Sequence, residues 1–114
     1  MHELSVALSL IDLAQTEADR LGGRISAVHI RLGALSGVVK DALLFSYEVA
    51  CHDTPLEGSH LVIEEVPLVV YCPTCDADRT LRSTQLLCCA ECGTPTPLIR
   101  EGRELELVAL EVES

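Results

Sequence analysis

Leu4, Ala7, Leu8, Ile11, Ala14, Ala18 and Leu21 recur three and four positions apart and stop at Gly22-Gly23. That is the spacing of one apolar helix face followed by a glycine end signal, and it predicts a helix from about residue 3 to 21. Past the glycines the period shortens. Val28, Ile30 and Leu32 alternate with Ala27, His29 and Arg31 until Gly33, the pattern of a strand with one face in a core. A second helix is expected over roughly 38 to 51, with Val39, Leu43, Tyr47 and Ala50 along one stripe, Phe45 and Val49 widening it, and Asp53-Thr54-Pro55 ending it. A strand follows from about 59 to 71, in which Pro67 removes a ladder hydrogen bond and so predicts an edge position or a bulge. The last strand covers about 103 to 112. Its apolar positions change parity, from Leu105 and Leu107 to Val108, Leu110 and Val112, which predicts a bulge or strong twist near Leu107.

The predicted order is α, β, α, β, insert, β. It describes an α+β fold: a three-stranded sheet backed by two helices, with a zinc-ribbon-like knuckle inserted between the second and third strands. Two domains are expected, one made of residues 1–70 plus 99–114 and the other of residues 71–98.

Length and charge narrow the function. The 114 residues suffice for one ordinary domain with a small insert, and no apolar run approaches the roughly 18 to 20 residues of a membrane span. Glu3 stands where a secretory signal would place basic residues, so the expected location is cytoplasmic. Eighteen acids against eight Lys and Arg give a formal net charge of −10, which repels phosphate backbones and acidic membranes. No Ser/His/Asp arrangement, Gly-rich phosphate loop or defensible acid pair is present, so an enzyme is not expected.

The cysteines carry the clearest chemistry. Cys72-Pro73-Thr74-Cys75 is followed after thirteen residues by Cys89-Ala90-Glu91-Cys92-Gly93. In a reducing compartment two CxxC pairs at this spacing read as a metal site rather than as disulfides. Four thiolates satisfy tetrahedral Zn²⁺ and leave no position for water, so the site is expected to be structural. The segment from Tyr71 to Leu98 is too short to bury its own core and should depend on the metal. A single iron in a rubredoxin-like site is the alternative. Cys88, beside Cys89, is an alternative sulfur, although only Cys89 keeps the CxxC spacing. Cys51 reads as a partly buried thiol at a helix end.

The extreme N-terminus offers a second set of ligands. Met1-His2-Glu3 brings together an α-amine, the amides of residues 2 and 3, and an imidazole, and Met1 should be retained because His is not a small residue. Four nitrogens in a plane suit Ni²⁺ or Cu²⁺, and binding must expel protons from the amine and from any ligating amide. With reference pKa values of roughly 7.7 to 8.0 for an amine and about 6.5 for imidazole, such a site tightens above neutrality and releases its metal on acidification. From the residues alone, His2 can equally be a solvated end residue and Glu3 a carboxylate serving a helix N-terminus. His29, His52 and His60 read as ordinary surface.

Taken in order, Met1-His2-Glu3, the Gly33-Ala34-Leu35-Ser36 turn, the two CxxC pairs and Gly102-Arg103-Glu104-Leu105-Glu106-Leu107 resemble the HypA/HybF family of hydrogenase maturation factors over essentially the whole chain. The resemblance implies a nickel metallochaperone that delivers Ni(II) to the precursor of the [NiFe] hydrogenase large subunit, and in some members to urease, with a HypB-type GTPase as partner. It implies nickel ligation by the His2 side chain with backbone nitrogens of His2 and Glu3, and Zn(II) held by Cys72, Cys75, Cys89 and Cys92. One departure is Ala90, where the family commonly has proline. The competing reading is a zinc-ribbon adaptor that binds nucleic acid. Within residues 71 to 98, however, Asp76, Asp78 and Glu91 outnumber Arg79 and Arg82, which leaves no basic footprint for phosphate.

Overall fold

The computed structural model describes residues 2–113. Helix α1, Glu3–Leu21, buries Ala7, Leu10, Ile11, Ala14 and Ala18. Its core face is therefore rotated from the expected one, taking in Leu10 and leaving Leu4, Leu8 and Leu21 about half exposed. Small side chains dominate this face because α1 packs closely against α2, Lys40–Cys51. In α2 the buried positions are Leu43, Tyr47 and Cys51, one helical turn apart. Phe45 and Val49, expected to widen that stripe, face solvent at 69% and 53% exposure. Cys51 is fully buried rather than partly so.

Strand β1, Arg24–Gly33, is the middle strand of a three-stranded sheet ordered β2-β1-β6, with β2 at His60–Val66 and β6 at Leu105–Glu113. The three-stranded sheet and two helices agree with the sequence pattern. Leu107 and Leu110 both pack against the main core cluster, although residues three apart on a regular strand point to opposite faces. The parity change in the sequence is thus a real change of facing along β6.

Pro67 does more than was expected of it. It separates β2 from β3, Leu68–Cys72, and the two strands belong to different sheets. The single strand expected over 59–71 is two strands because proline cannot donate to either ladder. β3 is central in a second sheet ordered β4-β3-β5, with β4 at Ala77–Leu81 and β5 at Ile99–Glu101. This sheet was not foreseen. β3 and β4 pair antiparallel as a hairpin, with Leu68 opposite Leu81, Val70 opposite Arg79 and Cys72 opposite Ala77.

The chain divides into two compact units. One comprises 1–30, 38–64 and 106–114; the other comprises 31–37 and 65–105. The second unit is broader than the 71–98 segment marked out by the cysteines, because β3, β5 and the 33–36 turn pack with the knuckle. The first unit holds the large core, including Val28, Ile30, Leu43, Tyr47 and Leu56. The core of the second is a smaller cluster, Leu68, Val70 and Leu81, with Leu35, Leu87 and Ile99 packed against it.

The two glycine-led motifs meet inside the second unit. Gly33 N–H donates to Glu104 O at 2.7 Å and Leu35 N–H to Gly102 O at 2.6 Å. A Cβ on Gly33 would lie 2.2 Å from Gly102 O, so only glycine lets these backbones approach. Gly33→Ala is expected to cost about 1–3 kcal/mol through overpacking, read as a lower denaturant midpoint. An unchanged midpoint would show that the contact relaxes freely.

Candidate metal centre

The second unit brings Cys72, Cys75, Cys89 and Cys92 together, with all four sulfurs within 4.8 Å of one another. The closest pairs are Cys72–Cys92 at 3.5 Å, Cys75–Cys92 at 3.6 Å and Cys75–Cys89 at 3.9 Å. A tetrahedron of sulfurs bound at about 2.3 Å has edges of about 3.8 Å. The donor set therefore fits a tetrahedral four-thiolate ion without rearrangement.

Local backbone explains the approach. Cys72 ends β3 and is fully buried, and the Cys75 N–H donates to Cys72 Sγ at 3.4 Å across the first turn. In the second turn Cys89 N–H donates to Thr94 O and Gly93 N–H to Cys89 O, both at 2.8 Å, with Gly93 at φ 76°. Thr94 Oγ1 lies 3.1 Å from Cys92 Sγ and 2.9 Å from Thr74 Oγ1, so two threonines join the knuckles at their outer side. Cys88 bridges Pro95 through its backbone and lies outside the four-sulfur group.

The sulfurs do not titrate alike. Backbone N–H groups of Cys92 and Glu91 push Cys89 down to about 6, against the opposing effect of burial. Cys75 is lowered by Arg79 but raised more by the neighbouring sulfurs of Cys92 and Cys72, to about 11. Four thiols this close cannot all ionise unless a cation sits among them. Cys51 is a different case. Burial raises its pKa, beside Tyr47 and Ser59, which makes it a core thiol and not a ligand.

The first unit places His2 at the N-cap of α1, exposed, with its side chain making no cap bond. The His2 carbonyl accepts the Val6 N–H at 3.2 Å. The amides of His2 and Glu3 fall in the helix turn that has no intrahelical acceptor. The Glu3 carboxylate accepts the Val39 N–H at 3.1 Å and is held below the usual range, first by that bond and then by its own amide. Val39 is the N-cap of α2, so Glu3 ties the starts of the two helices together. The Met1 amine, the remaining expected ligand, lies outside the described residues.

His52, read as plain surface, is grouped with Asp53 and Glu57. Its Nδ1 meets Glu57 at 2.7 Å and its Nε2 meets Asp53 at 3.6 Å. Both imidazole nitrogens thus face carboxylates, in a cluster that is exposed throughout. Neither this cluster nor the Glu3–Val39 bond has a signal in sequence spacing. Among the described residues no helix is long and apolar enough to cross a membrane.

Comparison with known proteins agrees with the geometry. The family model described as hydrogenase/urease nickel incorporation, metallochaperone, HypA, matches residues 1–112. The chain is 54% identical to the hydrogenase maturation factor HypA of Chloroflexus aurantiacus, covering 97% of this chain and 98% of that one. It is 34% identical to the hydrogenase maturation factor HybF of Klebsiella pneumoniae, covering 99% and 100%. The solution structure of the Ni metallochaperone HypA from Helicobacter pylori shares the fold, with a TM-score of 0.66 at 24% identity over 98% of this chain and 97% of that one.

Proposed function

The chain belongs to the HypA family of hydrogenase and urease nickel-incorporation metallochaperones, and on that premise we propose that it binds Ni(II) at its N-terminus and delivers it for [NiFe] hydrogenase maturation. Proteins of this family are maturation factors and not enzymes. The observation that carries the reading is the exposed His2 at a helix N-terminus, with an imidazole that has no capping duty. Nickel is cargo here. The imidazole and the amides of His2 and Glu3, with the α-amine of Met1, supply four nitrogens for a planar d⁸ ion. The positive end of α1 favours negative charge, so it helps the two amides give up their protons. Ligation through the Glu3 amide displaces that amide from its own carboxylate and leaves the Val39 bond to hold the side chain.

Zn(II) in the four-sulfur centre is the structural partner to this site. Cys72, Cys75, Cys89 and Cys92 would hold it, and bound zinc supplies folding energy to a unit with a small core. The closed sulfur set offers no open position to a travelling ion, whereas the planar nitrogen set leaves its axial faces to an incoming thiolate. Transfer by ligand exchange to a cysteine-bearing acceptor follows from that difference. The acceptor in this reading is the hydrogenase large-subunit precursor, with a HypB-type GTPase as cytoplasmic partner.

Delivery is tested by incubating nickel-loaded chain with nickel-free large-subunit precursor and separating the two. Nickel is expected in the precursor fraction, and a chain extended by several residues before Met1 should load and transfer much less while keeping its zinc. Nickel that remains with the unextended chain would refute delivery.

A further inference from the structure

Arg79 is half-buried on β4, and the register of the β3–β4 hairpin decides which way it faces. Directly opposed residues of an antiparallel pair share a face, so Arg79 opposite Val70 lies on the face that carries Leu68, Val70 and Cys72. Its side chain meets the sulfurs of Cys75 and Cys89. Its Nε is buried without a hydrogen-bond partner, and among the described residues no carboxylate pairs with it. The other basic groups nearby are engaged elsewhere or exposed. Arg100 pairs with Asp78 at 3.3 Å and stacks over the Tyr71 ring at 5.0 Å, and Arg82 is exposed.

A partly buried guanidinium with its Nε shut off from water and no carboxylate partner is costly unless some other anion faces it. Here the anion is the metal centre. Four thiolates around a divalent cation leave two negative charges, in a chain already at −10 and beside Asp76, Asp78 and Glu91. We propose that Arg79 is a charge-compensating positioning residue of the metal centre, its guanidinium held against Cys75 and Cys89 to offset the charge that the four thiolates carry when zinc is bound. The absence of a carboxylate partner among the described residues follows from this role. It also explains why the arginine sits on the buried face of the hairpin, where Leu81 is the next apolar neighbour.

The inference rests on zinc occupying the four-cysteine centre. The test compares wild type, Arg79→Met, which keeps the aliphatic stem, and Arg79→Lys, which keeps the charge. Zinc-loaded protein is titrated with a competing chelator at neutral pH, and each variant is also reconstituted with Co(II) to read its sulfur-to-cobalt charge-transfer bands. The Met variant should lose zinc about 10- to 100-fold more readily and show shifted cobalt bands, while the Lys variant stays close to wild type. A Met variant that cannot assemble the cobalt centre, alongside a Lys variant that can, supports the same conclusion. Wild-type zinc retention in the Met variant, or equal losses in Met and Lys, would overturn it. Wild-type protein that takes up neither zinc nor cobalt at these cysteines would overturn the zinc reading as well, so the two failures are distinguishable.

Discussion

Stripping the metal from the four-cysteine centre is expected to unfold the 65–105 region while the helix-bearing unit stays folded. The reason is the disparity in apolar burial. The hydrophobic cluster of the second unit is small, Leu68, Val70 and Leu81, whereas the first buries a continuous cluster from both helices and the sheet. So small a core does not offset the conformational entropy of ordering its chain. Zinc binding in comparable small domains contributes about 10–16 kcal/mol at neutral pH, enough to decide whether the unit folds. Hydrogen exchange after chelation should show the amides of β3 and β4 losing protection while those of α1 and β1 keep it. Cys72→Ser should act in the same direction, since it removes a ligand from the most buried corner of the site. Retained protection at Val70 and Leu81 after complete metal removal would mean that packing alone holds this unit.

His2→Ala is expected to abolish specific nickel binding without touching zinc content or folding. His2 lies exposed and makes no side-chain cap bond, so the fold loses nothing when the imidazole goes. The proposed nickel site loses its one side-chain donor. Amides surrender protons to a metal only when a neighbouring group already anchors it, so the remaining nitrogens bind poorly. A loss of at least two orders of magnitude, about 2.7 kcal/mol, should appear in a nickel titration followed by calorimetry. Unchanged affinity would place nickel elsewhere in the chain.

The parts of this molecule that local pattern controls were legible in the sequence. The extent of α1 follows from its periodicity and the Gly22 stop, and the four cysteines declare themselves by spacing. Parity in β6 revealed its change of facing, because side-chain alternation leaves no other way for Leu107 and Leu110 to reach one core. What escaped depended on distant partners. The buried face of α1 differs from the expected one because Leu4 and Leu8 are as apolar as Leu10, and only the packing of α2 chooses among them. Phe45 is apolar enough to widen the stripe of α2 in sequence, yet it lies on the solvent side of the Leu43–Tyr47–Cys51 line. The second sheet was hidden because β4, Ala-Asp-Arg-Thr-Leu, has too few apolar residues to show a period, and β5 has three residues in all. Glu3 meeting Val39 and Arg79 meeting two sulfurs are contacts made by the fold. No spacing in the chain announces them.

Glu3 also clarifies the N-terminal site. Its carboxylate serves the helix that it begins, through its own amide, and also accepts a bond from the N-cap of the other helix. The side chain thereby anchors the residue whose amide is proposed to ligate nickel, fixing one end of a ligand set that would otherwise swing freely. Preorganisation of this kind lowers the ordering cost of binding.

In the proposed function nickel and zinc occupy chemically distinct sites, nitrogen for the cargo and sulfur for the structural ion. Its most direct test is to titrate Ni(II) into untagged, zinc-loaded protein and follow the absorption spectrum and the zinc content together. A weak visible band of a planar d⁸ nitrogen complex, saturating at one nickel per chain with all zinc retained, is the predicted result. Intense near-ultraviolet sulfur-to-nickel charge transfer with zinc released would contradict it.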